Sequence, residues 1–148
     1  MNHDDYIKDL RRSYILASPA QRLSVAKQRI ENPEHGPNLL VVHVSAIEGF
    51  VRSLVTHQLA STREELLEIY PTFCRSGPKE LITAYLRDKC GTDPIDFFGA
   101  EDWELFGYAV GYRNLLAHEA TYLGQDRYPE IISVCERVLD RLLEIEGL

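Results

Sequence analysis

The chain has 148 residues, 45% of them hydrophobic and 26% charged, with a formal net charge of −7. That is one domain, residues 1–148, long enough to bury a core and ordinary in composition for a globular protein. The acidic balance argues against a general nucleic-acid binder, which carries a basic face; it leaves room for an enzyme that meets RNA through a small cationic cleft, and predicts weak binding to bulk RNA or a need for a basic partner.

Residues 4–16 carry Tyr6, Ile7, Leu10, Tyr14 and Ile15 at helical spacing. Asp4 and Asp5 stand where a signal peptide would be basic, and no long apolar run follows, so the expected location is cytoplasmic. Ser18-Pro19-Ala20-Gln21 is a helix start: Ser18 as N-cap, Pro19 at the first helical position, Gln21 closing a capping box. That helix is expected to run to Glu31 and stop at Asn32-Pro33, before a loop that contains Gly36.

Residues 38–59 form the longest apolar helix pattern. Val41, Val44, Ile47, Val51, Leu54 and Val55 make a core stripe, which Leu40 and Phe50 widen, and the helix reads as the central one. A strand over 39–44 is rejected because the 3.6-type spacing continues past strand length. His43, Glu48, Arg52 and His57 interrupt the run, so no membrane span of about eighteen uncharged residues is expected.

Ser61-Thr62-Arg63-Glu64 is a second capping box, opening a short helix to Tyr70 that Pro71 ends. Ser76-Gly77-Pro78 precedes a helix over 79–90, with Gly91 as its stop. Residues 92–98 read as a loop. A helix then begins at Ala100 or Glu101, followed by a loop pivoting on Gly124. Tyr128-Pro129 opens the last helix, whose apolar side is Ile131, Ile132, Val134, Cys135, Val138, Leu139, Leu142 and Leu143. The sum is an all-α domain of about four long helices with short extra helices. Cys74, Cys90 and Cys135 are odd in number, widely spaced and without a CxxC. They argue against a disulfide framework or zinc knuckle, fit a reducing cytosol, and read as small buried or half-buried residues.

The helix that begins at Ala100 or Glu101 carries the chemistry. In Arg113-Asn114-Leu115-Leu116-Ala117-His118 a permanent cation and an imidazole flank an otherwise apolar run. Arginine grips phosphate oxygens bidentately and histidine gives or takes a proton near neutral pH, which suits phosphodiester chemistry. Taken singly, a surface cation and a capping histidine would serve as well. Gly107 and Gly111 share a helix row with Asn114 and His118. Each glycine costs about 1 kcal/mol in a helix interior, so the row points to a close neighbour, within the chain or on another subunit. Trp103 and Phe106 read as core; Tyr112 and Tyr122 are open to a role in stacking a base.

The piece RNLLAHE, residues 113–119, resembles the Arg-x4-His motif of the HEPN superfamily, nucleotide-binding helical domains of higher eukaryotes and prokaryotes. HVSAIEGFVRSLV, residues 43–55, is similar to the central helix of such domains, with Glu48 embedded in it. The resemblance covers residues 38–145. It implies an up-down bundle of four to five helices and a metal-independent, cofactor-free endoribonuclease. It further implies a homodimer with two Arg113–His118 motifs facing each other across a two-fold cleft. Many members are toxins or phage-defence effectors; others have lost activity and serve as binding or regulatory domains. Toxins with a nucleotidyltransferase antitoxin carry a Tyr two positions after the histidine, where this chain has Ala120 and its nearest Tyr is Tyr122. Modification at that place is therefore not expected, and a possible antitoxin or regulatory partner stays unassigned.

The reaction implied is attack of a ribose 2′-OH on the adjacent phosphate, leaving a 2′,3′-cyclic phosphate and a 5′-OH. His118 would act as base or acid, Arg113 would stabilise the developing charge, and Asn114 would orient His118 or a phosphate. Residues five apart in a helix point about 140° from each other. Arg113 must therefore wrap round, or the helix must loosen near His118. Glu48 has two readings: an ion pair with Arg52, or a group orienting Arg113 or His118. His43 and His57 are too far apart on one helix to share a metal.

Overall fold

The computed structural model describes residues 2–31, 39–119 and 128–148. Among them the chain is helical without a strand: α1 (His3–Leu16), α2 (Pro19–Ile30), α3 (Leu39–Leu59), α4 (Arg63–Ile69), a 3-10 turn (Tyr70–Phe73), α5 (Pro78–Cys90), α6 (Pro94–Phe98), α7 (Ala100–Glu119) and α8 (Tyr128–Glu146). The expected stop at Asn32-Pro33, the loop around Gly36 and the Gly124 pivot lie outside the described residues.

Local chemistry sets most of the boundaries. The Ser18 hydroxyl accepts from the Gln21 N–H at 3.2 Å, and Gln21 Oε1 accepts from the Ser18 N–H at 2.8 Å, so the capping box closes. At α4 the cap sits one residue later than the sequence pattern suggests. Thr62 is the N-cap and accepts from the Glu65 N–H at 3.2 Å, while Glu65 reaches back to the Ser61 N–H. α4 ends at Ile69 with Tyr70 as its C-cap, just before Pro71 as expected, and the chain continues into the 3-10 turn, near whose start Pro71's missing N–H costs little. Gly91, at φ 65°, closes α5 in the left-handed conformation.

Residues 92–98 are not simply a loop. Asp93 accepts from the Asp96 N–H at 2.8 Å and Pro94 follows at the first helical position, which is enough to wind α6. Gly99, at φ 91°, then turns the chain into α7.

Helix α3 is the centre. It packs against α2, α5, α7 and α8, and α7 packs against α8. Leu40, Val44, Ile47, Phe50, Val51, Leu54 and Val55 are buried along it as expected, whereas Val41, also expected in the core stripe, is half-buried. By length and apolarity α3 is the one described helix that could cross a membrane, a property it shares with buried core helices, and its apolar run is broken by charged residues as expected. Its ion-paired Glu48 and Arg52 sit mid-helix. Phe106 and Ala109 of α7 and seven of the eight expected α8 residues enter the same core; Ile132 is half-buried. Trp103 stacks between Phe98 and Phe106 at 5.7 and 5.8 Å, as part of the core edge. Cys135 is buried, and burial, with Glu136 nearby, pushes its thiol up to about 12. Cys74 and Cys90 are exposed, against expectation: Cys74 caps the end of the 3-10 turn and Cys90 is the last residue of α5.

Candidate functional site

Arg113 leaves α7 toward α3 rather than toward solvent. Its Nη2 donates to Glu48 Oε1 at 3.1 Å, its Nη1 to the Ser45 hydroxyl at 3.2 Å, and its Nε to Asn114 Oδ1 at 2.9 Å. Three of the five guanidinium N–H groups are used in this way. The side chain is 12% exposed and that of Glu48 21%, so the pair is screened less than a surface ion pair.

Glu48 serves two cations. Its other oxygen lies 3.6 Å from Arg52, one helical turn on. Arg52 is anchored in turn by the carbonyls of Phe73 and Ser76, at 3.0 and 2.9 Å. Both readings of Glu48 therefore hold together: it pairs with Arg52 and it orients Arg113. Two guanidinium groups around one carboxylate leave the cluster one unit positive, on a chain whose net charge is −7. Ser45 was not singled out in the sequence. Its signal is positional: Ser45, Glu48 and Arg52 follow the i, i+3, i+7 row of α3.

His118 stands on the last turn of α7 and is exposed, as is Asn114. The helix stays regular through Glu119, so it does not loosen to bring the histidine round. No hydrogen bond joins Arg113 to His118 among the described residues, and five positions apart on a regular helix the two side chains leave the axis about 140° from each other. Tyr112 is half-buried and packs on the core. Tyr122 lies outside the described residues.

The glycine row resolves into two cases. A Cβ at Gly107 would come within 3.2 Å of Lys79 Nζ, an intramolecular contact. Gly111 faces open space, and beside it Tyr108 and Leu115 are 52% and 46% exposed. Among the described residues no three His, Cys, Asp or Glu side chains gather as a metal centre. His43 is buried, its Nδ1 donating to the Leu39 carbonyl at 2.9 Å.

No protein-family model, curated protein or solved structure matches the chain.

Chemically, the arrangement offers a held guanidinium, two nearby neutral hydrogen-bonding groups in Ser45 and Asn114, and an exposed imidazole one to two turns along. The first three can grip an anion; the fourth can move a proton.

Proposed function

We propose that the protein is a metal-independent endoribonuclease of the HEPN kind, acting in the cytoplasm as a toxin or phage-defence effector. The observation that supports this reading is the preorganised Arg113. A guanidinium fixed by Glu48, Ser45 and Asn114 needs no reordering to meet a phosphate, which is what electrostatic stabilisation of a pentacoordinate phosphorane asks of it. In this reading α3, α5, α7 and α8 form the up-down bundle, and the remaining helices are additions to it.

A second copy completes the site. The outward row of α7, with Gly111, Tyr108, Leu115 and His118, is the face that a second α7 approaches, so that imidazoles from two chains share one cleft. One His118 takes the 2′-OH proton while the other protonates the departing 5′-oxygen, and Arg113 holds the non-bridging oxygens.

A non-catalytic HEPN-like domain for dimerisation or for nucleotide or protein binding is the second reading. One observation favours it: the bonds of Arg113 to α3 give it a structural task of its own.

The experiment is incubation of bulk tRNA with the native protein in EDTA, followed by analysis of the ends. Fragments with 2′,3′-cyclic phosphate and 5′-hydroxyl ends are expected. Intact tRNA, or cleavage that EDTA abolishes, would remove the enzyme reading.

A further inference from the structure

Arg22 of α2 is half-buried, and among the described residues no carboxylate pairs with it. It is nevertheless held. Its Nη1 donates to the Tyr70 hydroxyl at 2.6 Å, and its guanidinium carbon stands 5.6 and 5.8 Å from the ring centres of Tyr14 and Tyr70. On the α3 side it lies against Gly49, where a Cβ would stand 3.0 Å from Nη2. A glycine inside a helix costs about 1 kcal/mol against alanine, and here the missing side chain leaves room for the guanidinium. The Tyr70 hydroxyl is the one acceptor for this side chain among the described residues, so most of its five N–H groups are free for another. A half-buried cation, fixed and unpaired, is a place for an anion.

The surroundings say what that anion is attached to. Arg22 lines a groove of about 840 Å³, within the size range of small-molecule pockets. Leu10, Val25, Val41, Val42, Ala46 and Phe50 supply its apolar walls. No Asp or Glu lines it among the described residues; Asp5 and Asp9 of α1 line the opposite side of that helix, beside Leu67 and Pro71. Arg29, the other lining cation, is exposed and stands two turns along α2, about 10 Å away, too far to share one small head group. A single guanidinium balances the single charge of a carboxylate, whereas a phosphate monoester carries nearly two.

We propose that this groove binds a fatty acid, its carboxylate on Arg22 over Gly49 and its acyl chain along α3 toward Val41 and Val42. The ligand supplies the counterion that the chain withholds from Arg22, and it removes from water the apolar walls that α1 and α2 leave open. The inference goes beyond the ribonuclease reading and uses neither Arg113 nor His118.

The test is calorimetric titration of the full-length native chain with decanoate below its micellar range, beside 1-decanol, decyl phosphate and acetate. One decanoate per chain is expected, bound about 10-fold or more tighter than decanol, which keeps the tail and loses the charge. Acetate, a head without a tail, should give no measurable heat. Arg22→Gln should bring decanoate down to the decanol level. Val25→Asp, at a position 54% exposed and so tolerated by the fold, should weaken decanoate by about 10-fold or more, because it sets a like charge in the apolar wall. Both variants are checked for native helicity, and if Arg22→Gln does not fold, Val25→Asp and the decanol comparison decide. A native chain that takes up no decanoate would overturn the proposal and leave the groove to a macromolecule. Equal affinity for decanoate and decanol, or for native and variant chains, would overturn it as uptake by any apolar surface. Tighter binding of decyl phosphate would overturn the carboxylate head. RNA cleavage is not read, so the outcome is separate from the fate of the enzyme reading.

Discussion

Arg113 reaches Glu48 and Ser45 across 65 and 68 positions of sequence, and the two bonds fix α7 against α3 at the place where a phosphate would be met. Glu48 is the pivot, since its loss leaves two guanidinium groups, 12% exposed each, facing each other without a carboxylate. Glu48→Gln is expected to lower stability by about 1–3 kcal/mol, read as a drop in the urea midpoint. His118→Ala, at an exposed position, should stay within about 0.5 kcal/mol of the native value in the same titration. Arg113, Asn114, His118 and Glu48 are singled out in the sequence by the resemblance of residues 113–119 and 43–55 to a motif and a helix, where residue type alone would not distinguish them from surface groups. Ser45 was not, since a serine on a helix signals nothing until the helix opposite is in place. For the same reason Tyr112 gave no sign that it would lie half-buried on the core.

At the scale of elements, caps and periodicity carried the reading where they were strong. The Ser18 box, Gly91 and the long apolar run of α3 appear as the sequence indicates. The weak places were those where two patterns compete. Ser61 and Thr62 both fit a cap, and Thr62 prevails because Glu65, not Glu64, faces back along the first turn. Residues 92–98 are short and rich in turn formers, yet Asp93-Pro94 is a cap and a first helical residue, and α6 follows. Val41 is half-buried because it lines the groove beside α1 and α2, while Leu40, expected to widen the stripe, is fully buried. Gly91→Ala, which forces a side chain into the left-handed region, should cost about 1–2 kcal/mol, read as a lower thermal midpoint. The same substitution at Gly111, with open space around it, should raise helix stability by up to about 1 kcal/mol in the isolated chain. If a second α7 packs there, Gly111→Ala should weaken association in a mass measurement.

Over the whole molecule, acidity and titration can be read together. Cys135 is raised from 9.0 to about 12 by burial and by Glu136, and Tyr85 is also raised, by burial and by its hydrogen bond to Glu146. Both groups hold their protons more tightly folded than unfolded. The thiol's contribution is therefore complete below its ordinary value of 9.0 and is lost as pH climbs toward about 12, and that of Tyr85 begins to fall above its ordinary value of 10.0. Urea midpoints should fall steadily above pH 9.0, and Cys135→Ala should flatten that slope while lowering the midpoint at neutral pH through the cavity it leaves. The net charge of −7 makes the positive cluster around Glu48 stand out, and tRNA binding should weaken as salt rises. The most direct measurement is the rate of tRNA cleavage in EDTA by the native protein beside Arg113→Ala and His118→Ala, each checked for native helicity. The account predicts cleavage by the native chain and a loss of at least about 100-fold in both variants. Equal rates in all three proteins, or no cleavage by the native chain, would contradict it.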